Sequence, residues 1–173
     1  TSMDDISIKA NVSKKTLYSH FENKEDLFNA VLNEYWSKTL SELDIKINTQ
    51  EQPQSALKAF SEKLTQFFLN KNTTSLFRVM IHEHSRLPEL TKDISDKQQA
   101  PFVSELSRYF NHQMKAGVLS IKDATLAASH FIGMIKEYDF WPTMLGSKGQ
   151  LSEKKQDENI DLAIDMFLRY YAV

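Results

Sequence analysis

The chain has 173 residues, 41% hydrophobic and 25% charged, with a formal net charge of −2. That length and apolar content suffice for a buried core, and the charge excludes a protein that grips polyanions by bulk positive potential. The absence of cysteine excludes a disulfide framework or a thiolate metal site.

Only four glycines and four prolines occur, which argues for long helices and against a many-turned β fold. No apolar run approaches the roughly 20 residues of a membrane span, and no secretory signal opens the chain. A reducing, cytoplasmic setting and no membrane partner are therefore expected. In chain order, Ser2-Met3-Asp4-Asp5 has the spacing of a capping box and predicts a short helix from about Met3 to Ala10. Asn11, which tolerates the left-handed conformation, stops it. Ser13 caps a second short helix, about Lys14 to His20, with Val12 and Leu17 placed as a hydrophobic staple. Asn23 caps a third, with Glu25 and Asp26 in its first turn, where the helix dipole favours acids. Its apolar stripe runs through Leu27, Val31, Tyr35, Trp36, Leu40 and Leu43 to about Ile47.

A helix from about Pro53 to Leu69 follows, and "NKNTT" reads as a turn. "SLFRVMIHEHSRL" reads as a helix that Pro88 ends. Residues 89–97 read as a short irregular or helical connector. The next helix carries Phe102, Leu106, Tyr109, Phe110 and Met114, with Gly117 at its C-terminal end. A long helix runs from "KDATLAASH" to Trp141-Pro142, and "ENIDLAIDMFLRYY" forms the last. No period-2 strand pattern and no internal repeat appears. The expected class is all-α: two short helices, then about six longer ones.

Two short helices joined by a three- or four-residue turn make a helix-turn-helix, whose second helix enters the major groove. Residues 13 to 24 hold three Lys against one Glu, a local +2. Leu17 and Phe21 anchor this helix to Ile6, Ala10 and Val12. Lys14, Lys15, Thr16, Tyr18 and Ser19 lie on the other side, where lysines suit phosphates and hydroxyls suit phosphates or base edges. The domains expected are 1–30, an N-terminally incomplete helix-turn-helix DNA-binding domain, and 31–173, a larger helical bundle for ligand binding and dimerisation.

The stretch "TSMDDISIKANVSKKTLYSHFENKEDLFNAVL" closely resembles the DNA-binding domain of TetR-family transcriptional regulators. The likeness is carried by Thr1, Ser2, Ile6, Ala10 and Val12, then Ser13, Thr16, Leu17, Tyr18, His20 and Phe21, then Lys24, Glu25 and Leu27. "FRVMIHEHSRLPEL" resembles the ligand domain of one subgroup. The resemblance implies phosphate contacts at Thr1, Tyr18, His20 and Lys24, and a groove-facing set of Ser13, Lys14, Lys15, Thr16 and Ser19. It also implies a helix before Thr1 that this sequence does not contain. Three positions depart from the family pattern: Asn11 for a common Gly, Ser7 for a common Ala, and Lys15 for a small residue.

Catalytic patterns are missing. In "HEH", residues two apart on a helix point about 200° from one another, so His82 and His84 cannot share an ion. Ser85, Ser104 and Ser129 lack nucleophile-elbow glycines, and no Gly-rich phosphate loop occurs; neither metal nor cofactor is expected. The interior helices instead carry aromatic and sulfur-bearing faces. A ligand cavity is expected among Leu64, Phe68, Phe77, Met80, Ile81, His84, Tyr109, Phe110, Met114, Phe131, Ile135 and Tyr138, though a plain core explains any one of them. Ala124, Ala127 and Ala128 together with Ile160, Ile164, Phe167, Leu168 and Tyr171 are the expected homodimer contacts, and Gly133 calls for a packing reason. The expected function is a ligand-responsive repressor, released from palindromic double-stranded operator DNA by a small, largely apolar effector. The rival is a helical-bundle enzyme or small-molecule carrier with an incidental helix-turn-helix.

Overall fold

The computed structural model of the protein describes residues 2–83, 88–146, 149 and 151–173. Eight helices lie among them: α1 (Met3–Lys9), α2 (Lys14–His20), α3 (Lys24–Leu43), α4 (Pro53–Leu69), α5 (Lys71–Glu83), α6 (Pro88–Lys115), α7 (Ala124–Met144) and α8 (Glu153–Tyr171). The all-α expectation is met. The one β-type contact among the described residues is an isolated antiparallel bridge between Leu119 and Ala172.

The N-terminal helices start where the capping chemistry says. The Ser2 hydroxyl accepts from the Asp5 amide at 3.1 Å, and the Asp5 carboxylate accepts from the Ser2 amide at 2.8 Å. Asn11 turns the corner at φ 54°. Ser13 accepts from the Thr16 amide and Asn23 from the Asp26 amide.

Five boundaries differ from the expectation, one of them the start of α8, which lies at Glu153 rather than at Glu158. α3 stops at Leu43 because Asp44 enters the left-handed region at φ 43°, with its carbonyl held by the Lys63 ammonium. "NKNTT" is no turn. The Asn70 side chain accepts from the Asn72 amide at 2.9 Å, so Asn70 works as a cap and α5 begins at Lys71. Pro88 opens α6 rather than closing a helix, a position its missing N–H and fixed φ suit. Residues 89–97 are part of the same helix, which continues through Pro101 to Lys115.

α4 is the hub. Its Leu57, Phe60, Leu64, Phe67 and Phe68 are buried against α6, α7 and α8. Two ring clusters result. One joins Trp36, Phe67, Phe68, Phe77, Phe102 and Phe140. The other joins Phe110, Phe131, Phe167 and Tyr171.

The segment between α3 and α4 has no helix of its own, and α6 holds its backbone. The Ile47 amide donates to Glu105 at 2.7 Å, and Arg108 donates to the Ile47 carbonyl at 2.7 Å. Gln113 donates to the Thr49 carbonyl and Tyr109 to the Glu51 carbonyl, both at 2.8 Å. Burial alone would raise the Glu105 pKa. The Arg108 guanidinium and the Ile47 amide outweigh it and hold the carboxyl below its ordinary value.

Glu105→Gln should therefore lower stability by about 1–2 kcal/mol at neutral pH, since it weakens charged hydrogen bonds in a buried site. A lowered folded-state pKa gives stability that is complete above the ordinary 4.5 and is lost as pH falls through the folded value. Urea melts should show the gap between wild type and variant narrowing in acid.

Candidate functional site

α1 and α2 pack through Met3, Ser7 and Leu17, which are buried, and this sets the α2 surface outward. Ser13, Lys14, Lys15, Thr16, Tyr18, Ser19, His20 and Lys24 are all exposed and lie along α2 and the start of α3. They are not equivalent. Lys14 is paired with Asp4 of α1. Ser13 and Thr16 share a hydrogen bond at 2.8 Å, and Ser19 donates to the Thr16 carbonyl at 2.7 Å. Lys15 and Lys24 have no ion-pair or hydrogen-bond partner among the described residues, which leaves their charges available. Thr1 lies outside the described residues. Val12 is 40% exposed and Ile8 75%, so this unit carries more open apolar surface than the staple spacing suggested.

The expected ligand residues divide. Leu64, Phe68, Phe77, Met80 and Ile135 gather around the first ring cluster, where α4, α5 and α7 meet. Phe110 and Phe131 belong to the second cluster, Phe110 stacked on Phe167 and Phe131 edge-on to it, with Tyr109 and Met114 on the helix of Phe110. Ile81 and Tyr138 are exposed, at 57% and 54%. His84 lies outside the described residues. Helical periodicity shows which faces are apolar but not which of two neighbouring cores a face enters.

Beside the first cluster a crevice of about 10 Å³ lies between α4 and α7, lined by Leu64, Thr65, Phe68, Leu69, Ile135, Lys136, Asp139 and Phe140. A larger groove of about 450 Å³ adjoins it through the shared Thr65 and Leu69, and runs between α4 and α8 past Gln66, Gln156 and Ile160. Lys136 and Asp139 were not expected here, because a lysine and an aspartate on a helix read as solvated. The Lys136 ammonium stands 4.3 Å from the Phe68 ring centre and 5.2 Å from that of Phe140, with no carboxylate of the described residues within ion-pair distance. Burial pushes its pKa down to about 8. Asp139 is buried, and burial raises its pKa, an effect its bond from the Leu151 amide at 3.4 Å opposes. Its Oδ2 has no well-formed hydrogen bond, although the Thr143 hydroxyl beside it also opposes the rise.

The expected dimer residues face inward. Ala124, Ala127, Ala128, Ile160, Ile164 and Phe167 are buried in the chain's own core, and Leu168 and Tyr171 pack against it. The apolar residues that α7 and α8 leave open are different ones: Leu126, Tyr138 and Trp141, and Leu162, Met166 and Tyr170. On α8 they recur every four residues, but on α7 Leu126 stands twelve residues before Tyr138, and the inward stripe on each helix is the denser one. Gly133 lies on the open face of α7, with no atom of this chain within 4 Å of where a Cβ would stand.

Among the described residues no group of acids and histidines could hold a metal, and no helix is long and apolar enough to cross a membrane. Residues 1–31 match the sequence profile of bacterial regulatory proteins of the tetR family. Residues 55–173 match that of the C-terminal domain of AefR-like transcriptional repressors. A TetR-family regulator from Mesorhizobium loti MAFF303099 superposes with a TM-score of 0.88 at 25% identity, over 100% of this chain and 87% of its own. A TetR-family regulator from Pseudomonas syringae pv. tomato DC3000 gives 0.78 at 25% identity, over 100% and 87%. The flavonoid-responsive regulator FrrA gives 0.85 at 24% identity, over 99% and 87%. No curated protein matches the chain.

Lys136 supplies a test of the crevice. Its folded pKa of about 8 lies below the ordinary 10.5, so the unfolded chain binds more protons between those values and stability rises with pH across that window. Lys136→Met should be more stable than wild type by on the order of 2 kcal/mol near neutral pH. Denaturant titrations should show the advantage shrinking between pH 8 and 10.5.

Proposed function

The chain belongs to the TetR family of transcriptional regulators, and from that premise we propose a homodimeric repressor that a small effector releases from operator DNA. The observation that carries the reading is a continuous line of contacts. It runs from the α4–α7 crevice through Phe68 and Phe77 to Trp36 of α3, the helix whose N-terminal end continues from α2. Phe68 and Phe77 lie 6.0 Å apart, and Phe77 and Trp36 lie 5.5 Å apart.

In this reading Lys24, Tyr18 and His20 take phosphates, joined by Thr1 as the family resemblance implies. Lys15 and Thr16 reach base edges, with Ser13 and Ser19 beside them. Lys14 serves the α1–α2 joint as much as the DNA. A second copy docks on the open faces of α7 and α8, around Leu126, Trp141, Leu162 and Met166. A grouped apolar surface is what an association site requires, and Gly133 there lets a partner helix approach closely. Two recognition helices so joined read half-sites about 34–36 Å apart. An effector that parts α4 from α7 moves the ring line, shifts Trp36 and swings α1–α2 off that spacing. It must bind the swung arrangement more tightly, and operator DNA must weaken effector binding by the same factor. Among the described residues no catalytic arrangement supports the enzyme alternative.

Binding to operator fragments tests the DNA face. Lys24→Ala should weaken all sequences alike and reduce the salt slope by about one. Lys15→Ala and Thr16→Ala should change base preference as well, and uniform losses for all three would remove base reading from α2.

Sedimentation tests the assembly. Met166→Glu should give folded monomers, since an unpaired charge in an apolar interface costs several kcal/mol. An unchanged dimer would place the interface elsewhere.

A further inference from the structure

The α4–α7 crevice has a chemical bias. Lys136 brings a cation into a wall of Phe68, Phe140, Leu64, Leu69 and Ile135. An uncompensated ammonium at such a place costs stability, and here it faces ring π-surfaces instead of a carboxylate. Asp139, three residues on, would be the ordinary helix partner. It lines the same crevice but is not within 4 Å of the ammonium, and the Thr143 hydroxyl is the only group beside its buried Oδ2 among the described residues. Buried polar groups are nearly always satisfied. A cationic donor without a carboxylate partner and an under-satisfied carboxyl oxygen thus flank one apolar slot.

We propose that this crevice anchors the effector and that the effector is an aromatic acid: its carboxylate pairs with Lys136 and its ring lies along Phe68, Leu69 and Ile135. The inference rests on the repressor reading above and names the ligand class of that same site. A hydroxyl elsewhere on the ligand ring would give Asp139 a further donor. An anion supplies Lys136 with the counter-charge the fold withholds; a neutral ring of the same shape leaves the ammonium desolvated and unpaired. The depressed Lys136 pKa fits a site that awaits an anion, since binding one restores the charged form.

The crevice as folded has about 10 Å³, room for about one water. A ring therefore enters only by separating α4 from α7. The groove of about 450 Å³ that shares Thr65 and Leu69 with the crevice opens to solvent, but Glu62, Glu153 and Asp157 line it, so it admits a ring without drawing an anion in. Entry and switching then become one event, because the side chains displaced are those that lead to Trp36.

The experiment compares benzoate, 4-hydroxybenzoate and 2-naphthoate with their neutral amides by calorimetry and thermal melting on the full chain. The acids should bind and raise the melting temperature, with the amides weaker by at least about tenfold. Lys136→Met should abolish that preference by weakening the acids while the amides bind as well as before or better, and Lys136→Arg should retain it. Asp139→Asn should weaken 4-hydroxybenzoate more than benzoate. Equal affinity for acids and amides, or acid binding unaffected by Lys136→Met, would overturn the anion assignment. So would a failure of every acid to bind. In either case the repressor reading stands if a neutral aromatic releases the protein from operator DNA, and falls if no compound of either charge does.

Discussion

The contact of Trp36 with Phe67 and Phe77 governs how the two parts of this molecule stand to each other. α3 has 20 residues, yet it buries only Leu32 and Trp36. Trp36 meets Phe67 of α4 and Phe77 of α5 at 5.6 and 5.5 Å. From Trp36 to Lys24 is 12 residues, about 18 Å of helix. α1 and α2 lie beyond that. Phe28, Tyr35, Leu40 and Leu43 lie half-buried against the same core and the Tyr35 hydroxyl bonds Thr73 at 2.9 Å, so an ångström of displacement along this face is magnified at the recognition surface. The indole Nε1 is buried without a hydrogen-bond partner, so the contact is held by ring packing rather than by directed bonds. Packing of that kind yields to a shift more readily than a bonded joint.

The next segment is secured by opposite means. Residues 45–52 carry backbone groups that no helix pairs, and Glu105, Arg108, Tyr109 and Gln113 of α6 take four of them. An apolar bearing at Trp36 and a polar clamp on α6 thus bracket the end of α3. α6 also packs against α7. Whatever separates α4 from α7 acts on both holds together, which makes the response of α3 a collective one.

Much of this was legible in the sequence. Ser2, Asn11, Ser13, Asn23 and Pro53 fix their helix ends by chemistry local to a few residues, and the structure follows them. Asn70 and Pro88 are ambiguous in sequence because each suits either side of a boundary: asparagine closes turns and opens helices, and proline stops one helix and starts the next. The interior was harder. Ile164 and Leu162 are both apolar residues on one amphipathic helix, and only the packed neighbours decide that Ile164 is core while Leu162 stays open. Lys136 and Asp139 carried no signal at all. A charged residue in a helix is ordinarily solvated, and their burial arises from how α4 and α7 close on each other.

Asp44 bears on the mechanics of the joint after α3. Its φ of 43° puts a residue with a Cβ into the small left-handed basin, and Lys63 grips its carbonyl. A glycine in that place would let the backbone drift over a wide range of angles. An aspartate allows a narrow rest position with steep walls, so the joint acts as a detent, and the helix it terminates is better suited to snapping between discrete poses than to bending by degrees.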